Sequence, residues 1–408
     1  MRFSHIADCH IGSWRDSRLG NANLKAFLTA MDISFEKGVD FVLISGDLFN
    51  TALPAIEQIK GVVAKLREAK DRGIAVYYIA GSHDFSASGK TMLGVLEKAG
   101  LMKNAAVVDN EKTTDKRIVM RFITDKKTGA KITGLIGKKG MLEKSYYEML
   151  DREILEKESG FKIFMFHTAL SELKTKDLEK MEAMPLSLLP KNFDYYAGGH
   201  VHKVIEKSYE GYKNIIYPGP VFPNNFKEIE ELKHGGFYIY DNGKASYEAI
   251  NLFNVFSISV DCSNKSAEEI KEDIVREFSG VELIGTIVTI RLYGKMLSGK
   301  ISDIGLNEII KRMYEKNAYF VMKNTSMLKS PEFEEIKVSQ GSVEDIEDRI
   351  IKEHLGQIDI GKSAGEEAKL IKALITAMSV EKAEGERNID FANRIKKEAE
   401  KILGIELD

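Results

Sequence analysis

Five short apolar runs in the first half of the chain each end at a cluster that carries histidine or aspartate. The runs cover residues 3–7, 41–45, 76–80, 163–166 and 193–197. Continuous apolar runs of this length are typical of strands that are buried on both faces of a sheet. Helical periodicity at residues 23–37 and 54–72 separates the first three runs. The alternation therefore predicts a layered α/β domain.

The clusters that follow these runs hold five of the eight histidines. They are Asp8-Cys9-His10, Gly46-Asp47, Gly81-Ser82-His83-Asp84, His167 and Gly198-Gly199-His200-Val201-His202. Each fragment alone is compatible with an ordinary turn or a packed polar residue. Ligands of an α/β sheet bind outside the carboxyl ends of its strands, so we expect the five fragments to converge. Carboxylates and imidazoles together favour one or two divalent metal ions.

In this order the fragments resemble the five-motif signature of the calcineurin-like metallophosphoesterases. Three longer stretches are similar to the Mre-eleven/SbcD family, the nuclease subunit of a DNA double-strand-break repair nuclease–ATPase complex: Gly46-Asp47-Leu48-Phe49, Gly199-His200-Val201-His202-Lys203 and Tyr217-Pro218-Gly219. The motif resemblance covers about residues 1–235. It implies an α/β fold of the four-layer type, in which two β-sheets are flanked by helices. A small α+β capping domain and a helical C-terminal tail would follow.

The resemblance also implies a pair of divalent ions, Mn²⁺ in this family, bridged by one carboxylate. The first ion would be held by Asp8, His10, Asp47 and His202. The second ion would be held by Asp47, Ser82, His167 and His200. The catalytic residues would be His83, placed beside the scissile phosphate, and Asp84, which would fix the orientation of the His83 ring.

Two positions depart from the family pattern. Ser82 stands where the family usually has asparagine, and a hydroxyl is a shorter and weaker ligand than an amide oxygen. We therefore expect a looser second ion, or a water in that position. Asn50 stands where histidine often follows Gly-Asp-Leu-Phe, which bears on the balance of exonuclease and endonuclease activity.

The implied function is a manganese-dependent DNA nuclease, both exonuclease and endonuclease, that processes DNA ends in double-strand-break repair by a two-metal mechanism. Two alternatives share the fold. One is another calcineurin-like enzyme, such as a phosphomonoesterase or a cyclic-nucleotide phosphodiesterase. The other is a weakly catalytic scaffold that binds DNA ends, which the departures at Ser82 and Asn50 favour.

Changes in pattern divide the chain into three predicted domains. Residues 1–245 form the nuclease domain, residues 250–328 the capping domain, and residues 329–408 a charged helical tail. Apolar stripes at 370–379 and 389–403 suit helices that lie in a partner's groove, or that pack on the chain itself. The resemblance identifies the partner as an SbcC-like coiled-coil ABC ATPase.

A homodimer is also implied by the resemblance. Five apolar residues of the second and third helices could form its interface or, equally, the core: Ile56, Ile59, Val63, Met92 and Leu96. Six basic residues would form a DNA-binding strip if their loops converge, the alternative being a solvated surface: Lys116, Arg117, Lys126, Lys127, Lys138 and Lys139.

Composition excludes several classes of protein. The 59 Lys and Arg against 62 Asp and Glu give a net charge of -3, which argues against a polybasic protein but not against a nucleic-acid substrate, because bound metal supplies positive charge locally. Two cysteines make no disulfide framework, and no stretch is long and apolar enough to span a membrane. The N-terminus does not have the pattern of a signal peptide. These features predict a cytoplasmic enzyme that associates with the nucleoid when it is on DNA.

Overall fold

The computed structural model contains two compact units, Met1–Glu332 and Phe333–Asp408. It describes residues 1–16, 18–86, 90–138, 140, 142–175, 178–330, 351, 363–380, 382, 386 and 388–404. In the described part of the chain, no helix is long and apolar enough to cross a membrane.

The strands of the first unit are numbered along the chain. They are β1 (Arg2–Ile6), β2 (Phe41–Ser45), β3 (Ala75–Ile79), β4 (Lys103–Asn104), β5 (Val107–Val108), β6 (Met120–Arg121), β7 (Ile123–Thr124), β8 (Lys131–Gly134), β9 (Lys162–His167), β10 (Tyr195–Gly199), β11 (Ile205–Tyr209), β12 (Tyr212–Tyr217), β13 (Gly235–Asp241), β14 (Lys244–Ile250), β15 (Asn254–Asp261), β16 (Thr286–Lys295) and β17 (Phe320–Lys329). The α-helices of the same unit are α1 (Ala22–Glu36), α2 (Ile56–Asp71), α3 (Met92–Lys98), α4 (Lys144–Met149), α5 (Arg152–Lys157), α6 (Phe226–Leu232), α7 (Ala267–Phe278) and α8 (Leu306–Glu315).

Two six-stranded sheets face each other in the first part of this unit. The first has the order β14-β13-β1-β2-β3-β4, and the second has the order β11-β12-β10-β9-β8-β7. Strands β1 to β4 run parallel to one another, and so do β8, β9, β10 and β12. The inner faces meet in one buried cluster, to which Phe3 and Leu43 contribute from one sheet and Met165 and Tyr195 from the other.

Helices cover the outer faces of both sheets. The first sheet buries Val42 and Ile44 against α1 and α2, which contribute Phe27 and Leu66 to the same cluster. The second sheet buries Phe164 and Phe166 of β9 in one cluster with Tyr147 of α4 and Leu155 of α5. Helix, sheet, sheet and helix therefore form four layers, as predicted.

A smaller βαβαβ module follows, with the parallel sheet order β15-β16-β17. Helix α7 begins at a capping box, in which Ser266 and Glu269 satisfy each other's backbone N–H groups. Helices α7 and α8 bury their apolar faces, including Ile270 and Ile309, in a separate cluster with the three strands.

The second unit contains two tail helices, Ala364–Met378 and Asn388–Leu403. They fall where the sequence predicts the apolar stripes. A further helical pattern at residues 342–355 lies outside the described residues, apart from residue 351. Strand β14 ends at Ile250, five residues beyond the predicted end of the nuclease domain.

Candidate metal centre

The carboxyl ends of five parallel strands bring the predicted site residues to one edge of the sandwich. Asp8 and His10 follow β1, and Asp47 follows β2. Four residues of this edge have a left-handed backbone although they are not glycine: Asp8 (φ 50°), His10 (φ 42°), Asp47 (φ 50°) and His200 (φ 86°). Such strain persists where the surrounding structure enforces it, and it concentrates at functional sites.

The first predicted set of ligands is assembled. His10 Nε2 lies 3.0 Å from His202 Nε2 and 3.6 Å from Asp47 Oδ2. Asp8 Oδ1 lies 4.0 Å from His202 Nε2. One ligand atom from each of Asp8, His10 and His202 lies within 4.8 Å of the other two. Asp8 and His10 therefore meet His202 at one point, although about 190 residues separate them in the sequence.

The second set centres on the same aspartate. His167 Nε2 is 3.2 Å from Asp47 Oδ2, and Ser82 Oγ donates a hydrogen bond of 3.3 Å to that oxygen. The ring of His200 lies 5.3 Å from that of His167 between centroids, and its backbone N–H donates to Asp8 Oδ1 at 2.9 Å. Asp47 Oδ2 lies near one histidine of each set, at 3.6 Å from His10 and 3.2 Å from His167, so Asp47 has the position of a bridging ligand.

The hydrogen bonds at this edge show that the donor set fits a divalent cation. Asp8 Oδ2 and His167 Nε2 are both buried and have no hydrogen-bond partner among the described residues. His167 Nδ1 donates to the carbonyl oxygen of Ser45 at 2.8 Å, so the neutral ring presents a lone pair at Nε2. That lone pair faces the carboxylate of Asp47. Two acceptors in contact require a cation or a proton between them.

The electrostatics support the same conclusion. Burial, assisted by His202, lowers the pKa of His10 to about 3, which leaves the ring neutral. Burial also acts to lower the pKa of His167, but the Asp47 carboxylate outweighs it and raises that pKa to about 10. The pKa of Asp47 is below its usual range, because His167 and His10 favour its charged form against the effect of burial. A cation at this point would replace the proton of His167.

His83 is held differently from the prediction. Its Nδ1 hydrogen-bonds the backbone carbonyl of Asn50 at 3.0 Å, so Asn50, rather than Asp84, orients the ring. The Asp84 carboxylate instead accepts backbone N–H groups of Leu48, Phe49 and Gly81 at 3.0 to 3.2 Å. Asp84 therefore ties the loop after β2 to the loop after β3. The predicted orienting role of Asp84 is wrong, because the ring nitrogen that it would hold, Nδ1 of His83, is bound to the carbonyl of Asn50.

Glu228 of α6 is a site residue that the sequence patterns did not reveal. Its Oε1 accepts a hydrogen bond of 2.9 Å from Nδ1 of His202. The spacing Asn225-x-x-Glu228 is typical of a helix N-terminus, and Asn225 does accept from the backbone N–H of Glu228. That spacing gives no indication of a contact with a histidine 26 residues earlier.

Two of the predicted basic residues that the structure describes, Lys127 and Lys138, lie at opposite edges of the sandwich. Lys127 pairs with Asp40, which precedes β2 and so lies at the edge opposite the metal centre. Arg117 pairs with Asp151. Lys138, by contrast, follows β8 at the metal edge, and its ammonium group stands over the rings of Phe85 and Tyr146. Lys139 lies outside the described residues.

The predicted interface residues divide between the surface and the core. Leu96 is 1% exposed and packs in the core behind the first sheet, so it is not an interface residue. Val63 and Met92 also pack against that core, whereas Ile56 is 71% exposed. Leu53, before α2, and Val95, on α3, are 68% and 58% exposed, and their segments adjoin, since the backbone N–H of Met92 donates to the carbonyl of Ala52 at 2.9 Å. The exposed apolar face is therefore formed by Leu53, Ile56 and Val95.

Comparison with known proteins agrees with this geometry. The family model of the calcineurin-like phosphoesterases matches residues 1–204, which contain every predicted metal ligand. The chain belongs to the calcineurin-like phosphoesterases. This phosphoesterase is therefore a metal-dependent hydrolase of phosphate esters.

Three relatives illustrate the range of similarity of this phosphoesterase. The chain is 22% identical to the DNA double-strand break repair protein Mre11 of Archaeoglobus fulgidus, over 98% of this chain and 95% of that protein. It is 29% identical to the Mre11 protein of Thermoplasma acidophilum, over 69% of this chain and 77% of that protein. It is 26% identical to the uncharacterized metallophosphoesterase YhaO of Bacillus subtilis, over 72% of this chain and 71% of that protein.

Proposed function

We propose that this phosphoesterase is a manganese-dependent DNA nuclease that processes DNA ends in double-strand-break repair. The observation that carries the proposal is the contact of Asp47 with both ligand sets, at 3.6 Å from His10 and 3.2 Å from His167. The similarity to an Mre11 protein along 98% of the chain supports DNA as the substrate. Both exonuclease and endonuclease activity belong to the proposal.

The residues divide the work of hydrolysis between them. Asp8, His10 and His202 would hold one ion, His167, His200 and Ser82 the other, and Asp47 would bridge them. When bound, two divalent cations supply Lewis acidity, which activates water and neutralises charge on the phosphate. The protein supplies the buried, fixed donor set, so little rearrangement is needed when charge develops in the transition state.

His83 is the proposed proton donor to the leaving alkoxide oxygen. A nitrogen of its ring lies within 4.8 Å of ligand atoms of His10 and Asp47. Because the carbonyl of Asn50 occupies Nδ1, the proton that can be exchanged is carried by Nε2. Replacing His83 with alanine should reduce turnover by about 10²- to 10⁴-fold, the usual contribution of a general acid or base.

The decisive experiment compares substrates and variants in the presence of Mn²⁺. Wild type, His83→Ala and the control His234→Ala are assayed on linear duplex DNA and on p-nitrophenyl phosphate, and their manganese binding is titrated. We expect DNA cleavage by wild type and His234→Ala, with manganese binding retained in all three. Preference for the monoester would favour another calcineurin-like enzyme. Manganese binding without cleavage of either substrate would favour the scaffold.

Lys138 is the proposed contact for the DNA backbone, since it follows β8 at the edge of the sandwich that carries the metal centre. Its neighbours Phe85 and Tyr146 hold the ammonium group in place. Lys138→Glu should reduce the salt dependence of DNA binding, whereas Lys127→Glu at the opposite edge should not. Equal salt slopes in the two variants would contradict this assignment.

A second copy of the chain is the proposed partner for the exposed face formed by Leu53, Ile56 and Val95. The double variant Ile56→Asp, Val95→Asp should sediment as a monomer. The variant Ile284→Asp, at an equally exposed residue of the βαβαβ module, should behave as wild type. A dimer that survives the double substitution would exclude this face.

The tail helices are the proposed binding element for an SbcC-like coiled-coil ATPase. Met378, which ends the first of them, is 69% exposed. Met378→Asp should weaken copurification with a coexpressed SbcC-like ATPase, and unchanged copurification would argue against this contact. A cytoplasmic location, with association with the nucleoid through DNA, completes the proposal.

A further inference from the structure

Glu228 contacts the side of His202 that faces away from the other ligands. Its Oε1 accepts from Nδ1 of His202 at 2.9 Å, while Nε2 of the same ring lies 3.0 Å from Nε2 of His10. A hydrogen bond at Nδ1 places the ring proton there and leaves the lone pair at Nε2. The carboxylate therefore selects the tautomer that can bind a cation at the site, without itself reaching the cation.

Glu228 is itself held in place by its own segment. Its Oε2 accepts the backbone N–H of Asn224 at 2.8 Å, and its Oε1 accepts the side-chain amide of Asn225 at 2.6 Å. The side-chain oxygen of Asn225 caps the backbone N–H of Glu228 at 3.0 Å. These hydrogen bonds fix the orientation of the Glu228 carboxylate independently of its contact with His202.

The same hydrogen bonds continue to the ligands that follow β1. Asn224 Oδ1 accepts from Nδ2 of Asn23 at 2.7 Å, and that amide also donates to the carbonyl of Cys9 at 3.0 Å. Cys9 lies between Asp8 and His10, and Asn23 is fully buried. A continuous chain of hydrogen-bonded groups, buried at Asn23 and partly buried from Asn224 onward, therefore connects the backbone beside His10 with the ring of His202 from outside the site.

We infer that Glu228 is a positioning residue for the ion held by Asp8, His10 and His202, with Asn23 and Asn224 as its extension. It fixes the tautomer and the orientation of His202, and the asparagines fix the distance between His202 and His10. This inference rests on the metal centre of the proposed function. Outer partners of this kind contribute about 10- to 100-fold to metal affinity.

The opposite side of α6 offers a matched control. Glu230 forms an ion pair with Arg291 of β16, so it anchors the helix to the βαβαβ module without touching His202. Glu228→Gln and Glu230→Gln make the same chemical change two residues apart. If Glu228 served only to hold α6 in place, the two variants would have similar manganese affinities.

The experiment titrates the chelator-treated full-length protein with Mn²⁺ and counts bound ions by electron paramagnetic resonance. We expect two sites in wild type and in Glu230→Gln. Glu228→Ala should weaken one of them by about 10- to 100-fold and leave the other unchanged. Glu228→Gln should lie between, because its amide oxygen still accepts from Nδ1 but carries no charge.

A second readout needs no metal. In protein labelled with ¹⁵N-histidine, the imidazole shifts of His202 should report a single tautomer protonated at Nδ1 in wild type and a mixture in Glu228→Ala. Equal manganese affinities and one unchanged tautomer in all variants would overturn the role of Glu228 while leaving the metal centre intact. Absence of manganese binding by wild type would instead overturn the proposed function. If Glu228→Ala does not fold, the test is the manganese affinity of Glu228→Gln, which should be lower than that of Glu230→Gln at one site; equal affinities would overturn the role of Glu228.

Discussion

Gly199, the last residue of β10, lies close to the end of β2 at the edge of the sandwich that carries the metal centre. A Cβ atom at this position would lie 2.0 Å from the carbonyl oxygen of Ser45 and 2.7 Å from Nδ1 of His167. Ser45 is the last residue of β2, so its carbonyl belongs to a strand and not to a flexible side chain. The variant Gly199→Ala therefore forces β2 and β10 apart.

The size of the effect follows from these distances. Relieving the contact with Ser45 requires a shift of about 1 Å, since heavy atoms rarely approach a Cβ more closely than about 3 Å. That shift would lengthen the 2.8 Å bond between His167 and Ser45 beyond hydrogen-bonding range. Overpacking costs about 1–3 kcal/mol and an orphaned buried donor about 1–3 kcal/mol. We expect Gly199→Ala to lower the free energy of unfolding by about 2–6 kcal/mol.

Urea unfolding, followed by circular dichroism in the presence of a chelator, measures this loss. Gly280→Ala is the matched control, because a Cβ there meets no atom within 4 Å. It should change the free energy of unfolding by less than about 0.5 kcal/mol. Manganese affinity should also fall in Gly199→Ala, because His167 loses the bond that fixes its tautomer. A loss of stability below about 1 kcal/mol would refute the close approach of the two strands.

Two further predictions concern pH and metal. Burial lowers the pKa of His5, between the two sheets, to about 3, so the folded protein keeps this ring neutral while the unfolded chain protonates it below about 6.5. The free energy of unfolding should therefore fall by about 2 kcal/mol from pH 7 to pH 5 through His5 alone. Urea titrations at the two pH values should show that His5→Gln lacks this loss of about 2 kcal/mol. An unchanged pH dependence in the variant would contradict the buried, neutral state of His5. Mn²⁺ at about 100 times its dissociation constant should stabilise wild type by about 2.7 kcal/mol for each of the two ions in calorimetry, reversibly on chelation. Asp47→Asn should lose most of this stabilisation and the surface control Asp71→Asn none, so equal stabilisation of Asp47→Asn would show that Asp47 does not bridge two ions.

The strands that carry the site could be predicted because they are buried on both faces. The predicted runs at 41–45 and 76–80 correspond to β2 (Phe41–Ser45) and β3 (Ala75–Ile79) to within one residue. Strand β11, by contrast, is largely exposed and antiparallel to its neighbour, and has no continuous apolar run. The sequence does not predict this strand, because its residues carry neither a buried-strand pattern nor a clear alternating pattern.

The candidate ligands could be predicted because a parallel sheet places the residues after its strands at one edge. The partners of those ligands could not. The ring of His83 is oriented by the backbone carbonyl of Asn50, a group that every residue has. Glu228 contacts His202 because of the direction that helix α6 takes after its N-cap residue, Asn225. The spacing of residues in the sequence does not indicate that direction.

Charge and apolar patterns predicted surfaces less well than strand ends. Lys127 and Lys138 are eleven positions apart, yet strand β8 separates them by its full length, so they lie at opposite edges. On α3 the apolar pattern includes both Val95 and Leu96, but only Val95 faces solvent. The sequence could not indicate which side of this short helix is covered by the first sheet.

The most direct test of the central claim is a crystal structure of the protein soaked in Mn²⁺, with anomalous scattering recorded at the manganese edge. The account predicts two anomalous peaks, both in contact with Asp47, one beside Asp8, His10 and His202 and the other beside His167 and His200. A single peak, or two peaks of which only one touches Asp47, would contradict it.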